Sequence, residues 1–175
     1  MKKFEIVYYP SESDIREMIK LDCESFSGLD VGEFDKCLKW QKACPEIYTA
    51  IKFGGRVIGY TNFVGITKEC YEKIRAGKLK DYELNDGDII PFRVGENYCL
   101  FMSVVVEKKF RYADAVVELS NAFFERINKM KQKNIRLNNI LCDCVSEDGE
   151  KLVKRFGAKF VCDSKDGTKI YEFGL

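Results

Sequence analysis

The stretch that decides the fold runs from Tyr98 to Val116 and reads YCLFMSVVVEKKFRYADAV. Its first half, up to Val106, is a continuous apolar run, which predicts a strand buried on both faces of a sheet. The chain then turns basic at Lys108, and apolar residues at helical spacing predict a long helix from about Ala113 to Lys131. A further strand is predicted from Ile140 to Val145. This β-α-β order predicts two parallel strands joined by a right-handed crossover.

Upstream of this unit, the pattern predicts three strands and two helices. Pro10 ends the first strand, and Ser11 and Asp14 have the spacing of a capping box at the start of the first helix. Two strands are joined by Gly54-Gly55, which predicts a tight hairpin because glycine tolerates positive φ. The predicted strands are Phe4 to Tyr9, Ile47 to Phe53 and Arg56 to Ile66, and the second helix is Glu33 to Ala43. The first helix should bury Ile15, Ile19, Cys23 and Phe26.

Downstream, Ser146 has the character of an N-cap and Gly157 that of a left-handed C-cap, which together delimit a last helix. Two final strands, Lys159 to Cys162 and Lys169 to Phe173, flank an Asp166-Gly167 turn. The order is therefore β-α-α-β-β-β-α-β-α-β-β. We predict an α/β (α+β) domain with a mixed, twisted sheet of about six to seven strands flanked by helices.

Residues 67–97 interrupt this order with a short predicted helix, Lys68 to Arg75, and a polar stretch around Asp86. A connection of this length is more often functional than idle, but it is equally consistent with a solvated insertion that covers a sheet edge. A chain of 175 residues has the length of one domain. We therefore expect a single domain over residues 1–175 with an insertion at about 67–97.

Composition excludes several classes of function. The net charge is +1, which gives no long-range attraction to nucleic acid or to an anionic membrane. No segment resembles a signal peptide or a spanning helix, so we expect a cytoplasmic protein with reduced cysteines. Of the eight cysteines, Cys23, Cys37 and Cys99 lie among apolar residues and are expected to be buried.

The sequence contains no histidine, which excludes Ser-His-Asp and Cys-His catalysis in their usual forms. It also excludes zinc sites with imidazole ligands. Cys142-Asp143-Cys144 is conceivable as a metal or redox pair, but core packing is favoured because no second cysteine pair follows at regular spacing. We expect no metal. Direct group transfer, in which an amine attacks a bound thioester, is a chemistry that needs no imidazole.

The chain resembles the GNAT superfamily of N-acyltransferases in the order and spacing of its elements, along nearly its whole length apart from the insertion. The hairpin from Ile47 to Ile66 is similar to the second and third strands of that family. Val104-Val105-Val106-Glu107-Lys108-Lys109-Phe110-Arg111 resembles the end of its fourth strand, commonly Val-x-Pro-x-Tyr-Arg. Leu152-Val153-Lys154-Arg155-Phe156-Gly157-Ala158 resembles its final helix, commonly Leu-Tyr-x-Lys-x-Gly-Phe.

The resemblance implies an N-acetyltransferase that moves an acetyl group from acetyl-coenzyme A to a small-molecule or peptide amine in a ternary complex. The backbone of Val104, Val105 and Val106 would pair with the pantetheine arm, and one of their N–H groups would steady the thioester oxygen. The phosphate loop would be Arg111-Tyr112-Ala113-Asp114-Ala115-Val116. A helix start binds phosphate through its free N–H groups, and Lys108, Lys109 and Arg111 would neutralise the phosphates.

Three departures from the family pattern leave an alternative open. Asp114 and Val116 occupy the places of the two loop glycines, and Val153 occupies that of the tyrosine that often protonates the leaving thiolate. The loop is therefore either an atypical working site or a degenerate one, and Asp114 is also an ordinary first-turn residue of a helix. The alternative is a non-catalytic GNAT-fold protein that binds coenzyme A, another ligand or a partner. An oligomer is possible.

The sequence does not identify a general base. Carboxylates that could accept the proton of the amine are Glu96, Glu107, Asp86 and Asp88, but each is more readily interpreted as a surface residue. Tyr98 and Tyr112 are interpreted as packing residues. The catalytic residues are therefore left unassigned.

Overall fold

The computed structural model describes residues 4–26, 32–111 and 114–175. The helices in this part of the chain are α1 (Glu12–Ser25), α2 (Phe34–Ala43), α3 (Lys68–Arg75), α4 (Ala115–Gln132) and α5 (Glu147–Arg155). The strands are β1 (Glu5–Val7), β2 (Tyr48–Phe53), β3 (Arg56–Ile66), β4 (Ile89–Ile90), β5 (Gly95–Val106), β6 (Ile135–Cys144), β7 (Lys159–Asp163) and β8 (Lys169–Phe173).

The strands form one mixed sheet in the order β1-β2-β3-β5-β6-β8-β7, and β4 pairs with β3. Strands β5 and β6, on either side of α4 in the chain, are parallel as predicted. The predicted α/β class and mixed sheet are confirmed. The described chain has one strand more than predicted, because β4 lies inside the insertion and pairs only Ile89 and Ile90 with β3. A two-residue strand has too few residues to show alternation.

Two local predictions, the β2–β3 turn and the cap of α1, are confirmed. Gly54 and Gly55 have φ values of 59° and 78° in the β2–β3 turn, a conformation that glycine adopts without strain. At the start of α1, the Ser11 Oγ accepts a hydrogen bond from the Asp14 N–H at 3.2 Å. The Asp14 carboxylate in turn accepts one from the Ser11 N–H at 3.0 Å, which completes the capping box.

The buried face of α1 differs from the predicted one. Ile15 is buried as expected, but Ile19 and Phe26 are half-buried and Cys23 is exposed. The other buried positions are Asp14, Met18, Leu21 and Asp22. The face that follows Ile15 at steps of three and four residues therefore passes through Met18 and Asp22. The sequence pattern was interpreted without an aspartate on the core face, so the buried face of α1 was assigned to the wrong residues.

Contact density divides the chain into two compact units. One comprises Met1–Asn62 and Ser103–Asn128, and the other comprises Phe63–Met102 and Lys129–Leu175. The prediction of a single domain stays a prediction. Each unit has its own set of buried apolar residues.

The first unit holds α4 against β2, β3 and the end of β5. Its apolar cluster contains Ile51, Ile58, Val106, Ala115 and Leu119. Further along α4, the buried Arg126 donates hydrogen bonds to the backbone carbonyls of Tyr8, Glu46 and Tyr48. These bonds satisfy a guanidinium that burial would otherwise destabilise. They fix the rotation of α4, and with it the position of the helix start.

The second unit incorporates the insertion through polar contacts with β6 and with the β7–β8 hairpin. Lys80, with only 2% of its side chain exposed, pairs with the Asp143 carboxylate and donates a 2.6 Å hydrogen bond to Thr168. The Tyr71 hydroxyl donates to Glu172. The Gly77 carbonyl accepts a 2.9 Å bond from the Lys165 N–H. The insertion is thus packed into this unit, and a role in function stays a prediction.

Strands β5 and β6 begin earlier than the sequence predicted. Their parallel register starts with Gly95 opposite Ile135, whereas the predicted starts were Tyr98 and Ile140. The added residues include the polar Asn97, which is buried because its side chain bonds the backbone of Arg93 at 2.7 Å and of Gly95 at 3.0 Å. Tertiary pairing therefore extends both strands into polar sequence.

All eight cysteines are free thiols. Cys99 is buried as predicted, whereas Cys37 is half-buried and Cys23 is exposed. Cys142 is buried and Cys144 is half-buried, and Asp143 between them pairs with Lys80. Within the described ranges no three Cys, Asp or Glu side chains lie close enough together to hold a metal ion. None of the described helices has the length and apolar character to cross a membrane.

Candidate active site

The end of β5 is the backbone segment on which the sequence places the site. The last parallel pair between β5 and β6 joins Phe101 and Cys142, and β5 then continues to Val106. On its other side β3 comes close: the Glu107 N–H donates to the Ile58 carbonyl at 2.8 Å. A Cβ atom at position 59 would lie 2.6 Å from the Val105 carbonyl oxygen, so Gly59 is required there.

The three valines at this end of β5 differ in their surroundings. Val105 and Val106 are buried. Val104 is half-buried and packs with Val106 against the apolar cluster of α4. Their side chains therefore hold the strand in place. The Val105 carbonyl lies close to Gly59 of β3 and the Val106 carbonyl accepts a hydrogen bond from Arg111, so a ligand would use the remaining backbone groups of this segment.

The basic residues after β5 are brought together in a 3-10 turn, Lys108–Phe110, and at Arg111. The Arg111 Nε donates a 2.9 Å hydrogen bond to the Val106 carbonyl, which holds the guanidinium at the strand end. Lys108 and Arg111 are exposed. The Lys109 ammonium lies 2.8 Å from the Glu107 carboxylate and is therefore already paired. Lys108 and Arg111 remain as the cations best able to meet an anion.

Glu107 is unsuited to act as a general base. Its carboxylate lies 2.5 Å from the Arg56 guanidinium and 2.8 Å from the Lys109 ammonium. Burial would raise the pKa of Glu107, but the hydrogen bonds from Lys109 and Arg56 outweigh it and lower that pKa below its usual range. A carboxylate held in its charged form in this way has little tendency to accept a proton.

The first turn of α4 begins directly after Asp114. The Asp114 carbonyl accepts a 2.8 Å hydrogen bond from the Glu118 N–H, which makes Asp114 the N-cap residue. The N–H groups of Ala115, Val116 and Val117 therefore have no partner within the helix. Ala115 is buried and Val116 half-buried against the apolar cluster. Tyr112 and Ala113 lie outside the described residues.

The Asp114 carboxylate is exposed. Among the described residues it has no hydrogen-bond or ion-pair partner. It therefore adds a negative charge close to the first-turn amides of α4, where the helix dipole favours an anion. This is the feature of the site that least favours a phosphate ligand.

The remaining candidate bases lie in the second unit. Glu96 is exposed near the start of β5, and Asp86 is exposed in the insertion. The Asp88 carboxylate accepts a 2.8 Å hydrogen bond from the Asn85 N–H. This bond is the largest cause of the lowered pKa of Asp88, and a hydrogen bond with Cys70 is the second. Val153 of α5 is buried and supplies no acid.

A second polar cluster in the first unit was not predicted from the sequence. The buried Asp22 of α1 accepts a hydrogen bond from the hydroxyl of the buried Tyr60 of β3 and a longer one, 3.4 Å, from the Gly32 N–H. Burial raises the pKa of Asp22 to about 6, although these two hydrogen bonds act in the opposite direction. The available signal was the helical spacing from Ile15 through Met18, which puts position 22 on the core face.

Two further buried residues of β2 and β3 carry polar oxygens: the Asn62 side-chain carbonyl has no hydrogen-bond partner in the described part of the chain, and the Tyr48 hydroxyl has only the Cys37 thiol. Tyr48 and Asn62 are opposite each other in the β2–β3 register. The rings of Tyr48 and Tyr60 meet edge to face with their centroids 6.4 Å apart. We call Asp22, Tyr48, Tyr60 and Asn62 the Asp22 cluster.

No protein-family model matches the sequence, and none of the curated proteins matches it. Solved structures do match. Ard1 from Thermoplasma volcanium is 13% identical with a TM-score of 0.66, and the match covers 99% of this chain and 97% of that one. The loading GNATL domain of CurA from Lyngbya majuscula is 8% identical with a TM-score of 0.65, and the match covers 98% and 97%.

A third match is the PaiA N-acetyltransferase from Thermoplasma acidophilum, solved in complex with coenzyme A. It is 12% identical with a TM-score of 0.61, and the match covers 98% of this chain and 99% of that one. At these identities the comparison concerns the fold. The chain therefore has the fold of the GNAT N-acyltransferases.

Proposed function

We propose that this protein is an acyltransferase that moves an acetyl group from acetyl-coenzyme A to an amine by direct attack. The observation that carries the proposal is the arrangement after Phe101. Strand β5 continues past its last pair with β6, and its end is followed by the exposed cations Lys108 and Arg111 and the open first turn of α4. This sequence of groups suits a ligand with an extended amide arm and a pyrophosphate.

Each group of residues would bind a different part of acetyl-coenzyme A. The backbone of Val104, Val105 and Val106 would pair with the pantetheine amides as an added strand does. The N–H groups of Ala115 and Val116 would donate to the pyrophosphate. Lys108 and Arg111 would balance its charge, Arg111 with the guanidinium nitrogens not bonded to Val106. Acetyl-coenzyme A would supply the activated thioester.

The two missing glycines affect affinity more than mechanism. Val116 offers its N–H as glycine would, but its side chain occupies space that a glycine leaves open. Asp114 brings a negative charge toward a dianionic group, a repulsion of about 1 kcal/mol at a separation of several ångströms in a solvated site. We therefore propose a working site with weakened affinity. Val153 leaves the thiolate to take its proton from water or from the attacking amine.

Two substitutions with opposite expected effects test the proposal. Arg111→Glu should weaken acetyl-coenzyme A binding by at least about tenfold, because it replaces a cation by an anion at the phosphates. Asp114→Asn should tighten binding by about fivefold, because asparagine caps a helix as well as aspartate but carries no charge. Isothermal titration calorimetry with acetyl-coenzyme A measures both.

Lys68→Glu is the matched control, because Lys68 is an exposed cation of α3 and the substitution changes the charge by the same amount. Its affinity should equal that of the unmodified protein. Unchanged affinity in both Arg111→Glu and Asp114→Asn would place the phosphates elsewhere. No binding by the unmodified protein at millimolar ligand would remove the proposal.

A non-catalytic binding protein is the second candidate, and the exposed carboxylate of Asp114 together with the buried Val153 favours it. It predicts coenzyme A binding, or the binding of another ligand, without turnover on a broad panel of amines. A thiol-release assay with acetyl-coenzyme A separates the two candidates, because only transfer liberates free coenzyme A in step with amine consumption.

A further inference from the structure

The Asp22 cluster contains buried polar atoms that lack good hydrogen-bond partners within the fold. Tyr48 and Asn62 have 2% and 8% of their surface exposed, and within the described residues the Asn62 Oδ1 makes no hydrogen bond. Burial raises the pKa of Tyr48, as does its contact with the Cys37 thiol, but a thiol is a weak hydrogen-bond partner. Buried oxygens that lack a good partner cost free energy, and a ligand with hydrogen-bond donors would offset that cost.

The chemistry of the cluster selects the ligand. Its groups are a carboxylate, an amide oxygen and two phenolic hydroxyls, all of which can accept hydrogen bonds. Among the described residues no cation pairs with the Asp22 carboxylate, whose partners are the Tyr60 hydroxyl and the Gly32 N–H. A ligand rich in donors and positively charged therefore fits best. A primary ammonium group has three donors and no acceptor.

We propose that the Asp22 cluster binds the primary ammonium group of the acceptor substrate and that Asp22 receives its proton. The ammonium donates to the Asn62 Oδ1 and the Tyr48 hydroxyl, whose residues are opposite each other in the β2–β3 register. The Asp22 carboxylate, oriented by the Tyr60 hydroxyl, balances the charge. This inference rests on the proposed acyl transfer and names its acceptor and its base.

Asp22 takes one proton from the ammonium, which leaves a neutral amine with a free electron pair. The amine nitrogen forms a bond to the thioester carbonyl carbon, and the carbon–sulfur bond breaks with its electrons on sulfur. The second proton of the nitrogen passes to the departing thiolate, and Asp22 returns its proton to solvent. The burial that raises the pKa of Asp22 to about 6 makes it a stronger base than an exposed aspartate.

The cluster can be tested without acetyl-coenzyme A. Butylammonium, 1,4-diaminobutane and spermidine serve as probes, and 1-butanol and 1,4-butanediol are the uncharged controls. Calorimetry at pH 7.5 should show each amine binding at least about tenfold more tightly than the alcohol of its length, because only the amine pairs with a buried carboxylate. If no amine binds more tightly than its alcohol, the inference is wrong.

Tyr48→Phe is the most informative variant, because the hydroxyl it removes has only the weakly hydrogen-bonding Cys37 thiol as a partner in the described structure. A purely structural role predicts equal or greater stability and no effect on ligands. The proposal predicts equal or greater stability together with about a tenfold loss of amine affinity. Tyr9→Phe, at a tyrosine that is 66% exposed, is the control and should change neither quantity.

Asp22→Asn provides the catalytic readout. It should abolish the preference for amines over alcohols and lower kcat for acetyl transfer while leaving acetyl-coenzyme A affinity unchanged. Amine affinity retained in both Tyr48→Phe and Asp22→Asn would overturn the inference. If the unmodified protein binds acetyl-coenzyme A but prefers no amine, only this inference fails. If it prefers amines but does not bind acetyl-coenzyme A, the proposed transfer fails.

Discussion

Asp22 carries a carboxylate onto the buried face of α1, next to core positions occupied by Met18 and Leu21. An aspartate loses hydration there, and its hydrogen bonds from Tyr60 and Gly32 restore only part of it. The pKa of Asp22 accordingly rises from its ordinary value of 3.8 to about 6, with burial as the largest cause. Residues that cost stability in this way are common at functional sites.

The raised pKa predicts the pH dependence of one variant. Between about pH 4 and pH 6 the folded state holds a proton on Asp22 that the unfolded state has lost. The free energy of unfolding therefore falls as the pH rises through this range. At pH 7.5, Asp22→Asn should therefore be more stable than the unmodified protein, by on the order of 2 kcal/mol. The difference should vanish below about pH 4, where aspartate is protonated in both states. Urea denaturation at several pH values measures it.

Asp14, in the same helix, supplies the control with the opposite sign. Hydrogen bonds from Lys52 and Ser11 outweigh burial, the largest single influence, and lower its pKa. Asp14→Asn should therefore reduce stability at pH 7.5, and the loss should shrink as the pH falls through the native pKa. If stability changed in the same direction in both variants, burial would not be the main cause of the raised pKa of Asp22.

At the scale of elements, the insertion is held to the β7–β8 hairpin at Gly77, just after α3. Gly77 has a φ of 70°, and a Cβ atom there would lie 2.6 Å from the Asp163 carbonyl oxygen. Gly77→Ala should therefore reduce the free energy of unfolding by about 2 kcal/mol or more, from backbone strain and from the displaced contact. Denaturant unfolding followed by circular dichroism checks this.

Gly87 is the matched position, because it lies in the same insertion and an added Cβ atom would meet nothing within 4 Å. Gly87→Ala should leave the free energy of unfolding unchanged within about 0.5 kcal/mol. Equal losses in the two variants would mean that the insertion does not depend on the close approach at Gly77.

The elements that the sequence predicted well are those whose signals are local. The Gly54-Gly55 turn, the Ser11 cap and helix α3 follow from nearby residues, and each occurs where it was expected. The starts of β5 and β6 were missed because the polar residues Glu96, Arg136 and Asn139 join these strands through pairing with distant residues. Helix α1 was predicted in place but with the wrong buried face, because Asp22 was not considered a core residue.

The same distinction applies to the candidate site. The strand end, the basic turn and the helix start are consecutive in the chain, so the sequence could place Val106, Arg111 and Asp114 near one another. The Asp22 cluster joins α1, β2 and β3, and no sequence pattern links residues 22, 48 and 62. Contacts between elements distant in sequence become visible only in the folded structure.

At the scale of the whole molecule, ligand binding should appear as a rise in thermal stability. Acetyl-coenzyme A at about 100 times its dissociation constant adds about 2.7 kcal/mol to the native state. For a chain of this size that corresponds to a rise in Tm of about 5–10 °C. Differential scanning fluorimetry measures the shift, and pantetheine, which lacks the phosphates, should produce less of it at equal concentration. An equal shift with pantetheine would argue against the role of Lys108 and Arg111.

The distribution of the thiols has a practical consequence for such measurements. Burial raises the pKa of Cys37 and brings that of Cys144 to about 12, so both resist alkylation at neutral pH. Cys23 is exposed on the last turns of α1, directly after Asp22. A maleimide fluorophore should therefore attach there first, and without any substitution the protein offers a labelling point whose emission reports on the helix that carries Asp22.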